Sequence, residues 1–200
     1  RLRYDEGDMT VDGQPIKYGM FIMPFHPEDK PLAQCFDEDI ELVIRAEELG
    51  FHEFWIGEHH TMKMESIVVP EVFIGRVLGE TERIRLGPCP VCLNQHHPAY
   101  VATRLAFLDH LAKGRLNLCF GNGSVSGDQE LYGVDPKQGG AMAMESMEAI
   151  LDLWESDPPY EHNGEFWQFS LKESVDDVTA IGYIHKPLQQ PHPPISMPAM

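Results

Sequence analysis

Apolar positions along the chain alternate between short unbroken runs and longer stretches with helical spacing. The first run, Ile16 to Met23, is closed by Pro24 and predicts a strand. Ile40, Val43, Ile44, Ala46 and Leu49 then form a stripe, so a helix is expected from about Phe36. Asp37 and Asp39 suit its N-terminus, and Gly50 is its stop. Phe54, Trp55 and Ile56 make a second apolar burst, of the kind expected of a buried parallel strand. Pro70 opens a second helix carrying Val72, Phe73, Val77 and Leu78. Ile84 to Leu93 predicts a third strand, interrupted by prolines. His97 to Leu111 predicts a third helix beginning at Pro98, and Leu116 to Phe120 a fourth strand. Gly121 to Gly127 reads as a glycine- and serine-rich loop, and Ala141 to Trp154 as a helix.

The rhythm changes after Ser156. Asp157-Pro158-Pro159 breaks the helix, and Tyr160 to Phe169, with Asn163-Gly164 between aromatic flanks, predicts a β-hairpin. Pro194 to Met197 looks like the start of a fifth core strand. Repeated strand–helix alternation implies α/β architecture with a parallel sheet and right-handed crossovers. Units of about 30 residues suit a (β/α)8 TIM barrel, which usually needs about 250 residues. Residues 17–200 are therefore expected to be its N-terminal portion, about five β/α units cut inside strand five. Residues 1–16, polar and aperiodic, are expected to form a mobile N-terminal extension. A five-stranded doubly wound domain is the competing arrangement.

A formal charge of −17 argues against nucleic-acid or anionic-membrane partners. No apolar run approaches a membrane span and no signal segment is recognisable, and four cysteines do not suggest a disulfide scaffold. A cytoplasmic protein is expected.

Glu58, His59 and His60 fall where an apolar strand gives way to a loop, the end at which α/β folds collect catalytic groups. His59 is taken as the centre of function. His26, His96 and His97 also follow strands, but no His-x-His or His-Glu-x-x-His pattern is present. A metal-dependent barrel hydrolase remains an alternative, and no metal site is assigned. Cys89-Pro90-Val91-Cys92 has redox or metal spacing, yet residues three apart on a strand face opposite ways, so two buried thiols are expected. A cis Cys89–Pro90 bond would put a kink at the barrel mouth. Gly121-Asn122-Gly123-Ser124 lacks both the Gly-x-Gly-x-x-Gly spacing and a P-loop ending, leaving a cofactor turn and a flexible connection equally open. Met142, Met144 and Met147 are read as helix packing.

Five motifs in register carry a resemblance. They are Tyr18-Gly-Met-Phe21, Glu48-Leu-Gly-Phe51 with Phe54-Trp-Ile-Gly-Glu-His-His60, Arg83-Ile-Arg-Leu-Gly87, His96-His-Pro98 and Leu108-Asp-His-Leu-Ala-Lys-Gly-Arg115. Pro191-His-Pro-Pro-Ile195 adds a sixth. Together they resemble the bacterial luciferase-like flavin monooxygenases, closest to a limonene-monooxygenase-like branch. The resemblance implies a TIM barrel that uses reduced FMN and O2, through a C4a-peroxyflavin, to oxygenate a small apolar substrate such as a terpene, ketone or aldehyde. It implies a separate NAD(P)H:flavin reductase and a homo-oligomer. It assigns His59 as the catalytic histidine with Glu58 orienting the site, and Cys89, Pro90, Gly121 and Asn122 as cofactor-binding residues. Asn122 stands where luciferases carry an arginine near the phosphate, so anchoring there must differ. Met23, Phe25 and Met62 are candidate substrate-side groups. Relatives that use deazaflavin F420 as a hydride carrier supply the alternative cofactor.

Overall fold

The computed structural model describes residues 10–11 and 14–198. The expected mobile extension therefore lies largely outside the described residues. Within it, Thr10–Val11 (β1) pairs antiparallel with Gln14–Pro15 (β2). The chain divides into two compact units, one reaching Cys89 and the other beginning at Pro90. No helix among the described residues is long and apolar enough to cross a membrane.

In the first unit, Gly19–Ile22 (β3), Glu53–Ile56 (β4) and Arg85–Pro88 (β5) form a parallel sheet in chain order, with Gly19, Glu53 and Arg85 in register. Leu32–Glu48 (α1) and Pro70–Val77 (α2) are the crossovers. Their buried stripes, Val43 and Ala46 on α1 and Ile74 and Val77 on α2, form a core with Phe54, Ile56 and Leu86. Helix α1 starts four residues before the expected Phe36. Pro31, extended at φ −59° and ψ 127°, supplies the N-cap, so Asp37 and Asp39 fall in the second turn. Gly50 ends the helix at φ +88°, a conformation that excludes most side chains. Glu47, in the last turn, accepts the main-chain N–H groups of Glu82, Arg83 and Ile84 and so sets where β5 begins.

In the second unit, Leu118–Gly121 (β7) lies between Val91–Cys92 (β6) and Ile195–Ser196 (β10), all parallel. Every residue of β7 is buried, as expected of a strand covered on both faces. Pro98–Leu111 (α3) and Gly139–Glu155 (α5) pack together, and Trp154 Nε1 donates to Ala102 O at 3.0 Å. His97 caps α3 by accepting from the Ala99 N–H at 3.2 Å. Fully buried Asp109 accepts from Gln189 N at 2.8 Å and Nε2 at 2.7 Å, holding the segment that leads into β10.

Two expectations are corrected in this unit or at its edge, the strand–loop boundary and the cis bond. The fourth strand runs to Gly121, not Phe120, and the glycine-rich loop is shortened by Ser126–Leu131 (α4). The expected hairpin forms, Tyr160–Asn163 (β8) with Gln168–Leu171 (β9), and turns through four residues because a carboxylate occupies the turn. Glu145 on α5 accepts from the N–H groups of Glu165, Phe166 and Trp167 at 2.9, 3.1 and 2.8 Å, with His162 Nε2 at 3.3 Å. The Cys89–Pro90 bond is also not cis: among the described residues the cis bonds are Pro158–Pro159 and Gln190–Pro191. Cys89 N donates to Ile56 O at 2.7 Å, so the chain continues the β5 ladder there and trans, the ordinary isomer, serves.

The Glu145 clamp makes two expectations measurable. A Cβ at Gly164 would stand 1.9 Å from Glu145 Oε1. Gly164→Ala should therefore cost about 2 kcal/mol or more, and clearly less in a Glu145→Ala background; additive costs in denaturant unfolding would refute the clamp. Burial pushes the Glu145 carboxyl up, but the N–H groups of Trp167 and Phe166, the His162 ring and the Glu165 N–H outweigh it and hold it below its ordinary 4.5. A carboxyl lowered on folding adds stability above its unfolded value, lost as pH falls through the folded value. The coupling between positions 145 and 164 should accordingly fade on acidification below pH 4.5.

Candidate active site

At the end of β4 the ladder continues one residue further, as Gly57 N donates to Ile22 O at 3.0 Å. The next three residues leave the sheet, and the sequence places ionisable groups on all of them. Glu58 is 2% exposed, and its Oε1 takes His60 Nε2 at 2.9 Å. His59 meets a second carboxylate. Its Nε2 lies 3.0 Å from Oε2 of Glu65, a carboxylate 4% exposed. The site thus holds two imidazole–carboxylate pairs built from adjacent histidines. The His59–Glu65 contact is an ion pair by distance, and Glu65 Oε2 accepts no aligned hydrogen bond. A carboxylate this close still favours the proton on Nε2, which leaves Nδ1 of a neutral ring carrying the lone pair.

Glu65 was invisible to sequence reasoning because it lies in an aperiodic loop, between Met64 and Ser66. Its one signal was a lone acid ahead of the apolar run Ile67-Val68-Val69. Met23, Phe25 and Met62 keep 48%, 63% and 36% of their surface exposed, an apolar set on the loops after β3 and β4. Phe25 also makes an antiparallel bridge with Glu65.

In the second unit the structure brings Pro90 and Gly121 together. A Cβ at Gly121 would stand 2.8 Å from Pro90 Cβ, so main chain rests directly on the proline ring. Asn122 follows, half-buried, and Gly123 adopts φ +60°. A side chain at Gly123 would meet Gln95 Nε2 at 2.8 Å and Cys92 Sγ at 3.1 Å. Cys89 and Cys92 are not joined by a disulfide; Cys92 is buried and Cys89, in the first unit, is half-buried.

Beside this glycine cradle, Leu93–Gln95 makes one 3-10 turn after β6. Asn94 and Gln95 are 1% and 8% exposed, and neither side-chain amide has a hydrogen-bond partner. Two buried amides without partners cost about 1–3 kcal/mol each. Both sit at a strand's C-terminal end, so the rule that selected Glu58 to His60 also selects them; the sequence reading passed over them. His97 takes a structural role instead. It caps α3, lies edge-on to Trp167 at 5.4 Å, and burial pushes its pKa down.

Asn94→Leu, which keeps the side chain's shape and removes both polar atoms, should raise the unfolding free energy of the cofactor-free protein by about 1 kcal/mol or more. A loss of stability would show that the amide is satisfied in solution and would overturn this reading.

Residues 16–200 match the luciferase-like monooxygenase family. The chain is 41% identical over 128 residues to limonene 1,2-monooxygenase of Rhodococcus erythropolis, covering 64% of this chain and 33% of that protein. It is 34% identical over 183 residues to the oxygenase component of the flavin-dependent trigonelline monooxygenase of Acinetobacter baylyi, covering 90% and 48%. Among solved structures, the oxygenating constituent of 3,6-diketocamphane monooxygenase from Pseudomonas putida, in complex with FMN, aligns with a TM-score of 0.80. At 24% identity, over 90% of this chain and 50% of that one, this likeness concerns the fold. The chain spans between a third and a half of the length of these proteins. Matched from residue 16 to residue 200, it belongs to the luciferase-like monooxygenase family.

Proposed function

We propose that the protein is a flavin-dependent monooxygenase that uses reduced FMN and O2 to oxygenate a small apolar substrate, a terpene, ketone or aldehyde. The observation that carries this reading is the His59–Glu65 pair at the end of β4. Family membership supports it, as does the flavin dependence of the trigonelline enzyme. The same relative is an oxygenase component, which supports a separate reductase as the source of reduced flavin. The fold expected of the whole protein is a (β/α)8 barrel, to which this chain contributes strands and crossover helices.

The residues present fit a flavin. Main chain at Gly121 packs against Pro90, and Gly123 leaves no room for a side chain beside Gln95, so the loop presents backbone and the Gln95 amide to a ligand. The Gln95 amide offers one donor and one acceptor without partners, the complement of an imide edge. Asn122 is the next polar group on the same loop. Bound reduced flavin supplies the electrons that activate O2, one oxygen atom entering the substrate and the other leaving as water.

The protein's own contribution is proton handling and shape. Glu65 at His59 Nε2 leaves Nδ1 of a neutral ring able to take up a proton, and imidazole is the side chain that exchanges protons near neutral pH. Glu58 keeps His60 in one orientation beside it. Met23, Phe25 and Met62 offer an apolar surface to a substrate with few polar groups.

The test is anaerobic titration of the whole protein with reduced FMN, followed by mixing with O2 and substrate. His59→Ala should keep FMN binding and lose about 100-fold or more in oxygenation. Gln95→Leu should weaken FMN binding roughly tenfold, the equivalent of one hydrogen bond. Binding of F420 in place of FMN would overturn the cofactor, and unchanged turnover in His59→Ala would overturn the assignment of the histidine.

A further inference from the structure

The loop that delivers Glu65 to His59 has no regular structure of its own, and one residue outside it holds it on both sides. His26 lies in the loop after β3 and is 6% exposed. Its main-chain N–H donates to Met64 O at 2.6 Å, and its ring Nδ1 lies 2.8 Å from Ser66 Oγ. The residue before Glu65 and the residue after it are therefore both bonded to His26. On the other side of the ring, Nε2 lies 2.8 Å from Asp39 Oδ2 on α1, and Phe36 of the same helix meets the ring edge-on at 5.6 Å. The neighbouring Phe25 bridges to Glu65 itself.

The chemistry of this array is self-consistent. The Asp39 carboxylate accepts the Nε2–H, so Nδ1 of a neutral ring accepts from the Ser66 hydroxyl, and no polar atom of the ring is left over. A helix thereby fixes an imidazole, the imidazole fixes the segment 64–66, and that segment fixes the Glu65 carboxylate against His59. A buried loop carboxylate that must stay within 3.0 Å of a ring nitrogen needs such support. The loop's own backbone provides one isolated bridge, Phe25 to Glu65, and one long bond, His59 N–H to Ile67 O at 3.4 Å.

We propose that His26, oriented by Asp39, is a positioning residue for the Glu65–His59 pair, setting the tautomer and orientation of His59. This rests on the reading of His59 as the proton-handling group.

The experiment is nitrogen NMR of the whole protein with 15N-labelled histidine side chains, the His59 signals assigned by their loss in His59→Gln. In the wild type, His59 should show two well-separated ring-nitrogen signals, the pattern of a single Nε2–H tautomer. In His26→Leu these should draw together as the tautomers mix, with turnover falling roughly 100-fold, the order expected of a small misplacement. Asp39→Asn keeps an oxygen that can accept from Nε2–H, and should retain the wild-type pattern. Ser66→Ala removes one anchor and should give a smaller change in the same direction; it carries the test if His26→Leu does not fold. An unchanged His59 pattern in a folded His26→Leu protein, or in Ser66→Ala where His26→Leu fails to fold, overturns the proposal. The NMR readout needs no flavin, so absence of FMN binding by the wild type would count against the monooxygenase reading alone.

Discussion

A carboxylate taken out of water must be met by donors, and this acid-rich chain turns that requirement into its main organising device. Glu47, Glu145, Asp109 and Asp39 each stand on a helix and each holds a segment without regular structure or a turn. Glu47 holds the start of β5, Glu145 the hairpin turn, Asp109 the approach to β10, and Asp39 the His26 ring. Burial alone would push such groups up and neutralise them. For Glu47 and Glu145 the main-chain N–H groups win, and both carboxyls stay below their ordinary value. Asp39 has a single imidazole against its burial, and there burial wins.

The same physics separates structural from chemical carboxylates by the partner chosen. Main-chain N–H groups donate a proton they never release, so Glu47 and Glu145 make fixed joints. Glu58 and Glu65 meet imidazoles, whose second nitrogen can exchange a proton while the first stays bonded. A buried ion pair is weak evidence for stability, because desolvation cancels much of the attraction. Two such pairs side by side at the end of β4 therefore need another reason to exist, and the proposed proton handling would provide one.

Much of the fold was legible because periodicity reports burial directly. Phe54 and Ile56 on β4, the Val43 and Ala46 stripe on α1, and Pro98 at the start of α3 were all expected, and all are where the structure has them. Two of the misses share a cause: they depend on contacts distant in sequence. Glu145 lies about twenty residues from the turn it opens, so the length of that turn had no local signal. Glu65 gains its meaning from His59 and from His26, which lies about forty residues away from Ser66. The start of α1 was misplaced for a local reason, since Pro31 outranks acidic residues as a terminator of extended chain. His59 was singled out by its position at a strand's C-terminal end, and that position carried no signal for Glu65. A carboxylate six residues further along the same connection reaches the ring, which only the loop's folded path could reveal.

Asn94 and Gln95 break the rule that the organising carboxylates obey. Every organising carboxylate has found its donors, while two neighbouring amides, at the equivalent end of another strand, have none. Amides cannot lower their cost by changing protonation, as a carboxyl can, so burial without partners is uncompensated. Local violations of this kind are expected where a chain is shaped for something other than its own stability. Gly123 strengthens that argument: its φ of +60° and the closeness of Gln95 exclude any side chain that could have satisfied the amide from within. The protein has kept donors, acceptors and bare backbone together, and a planar ligand with its own polar edge is the partner that would balance all three.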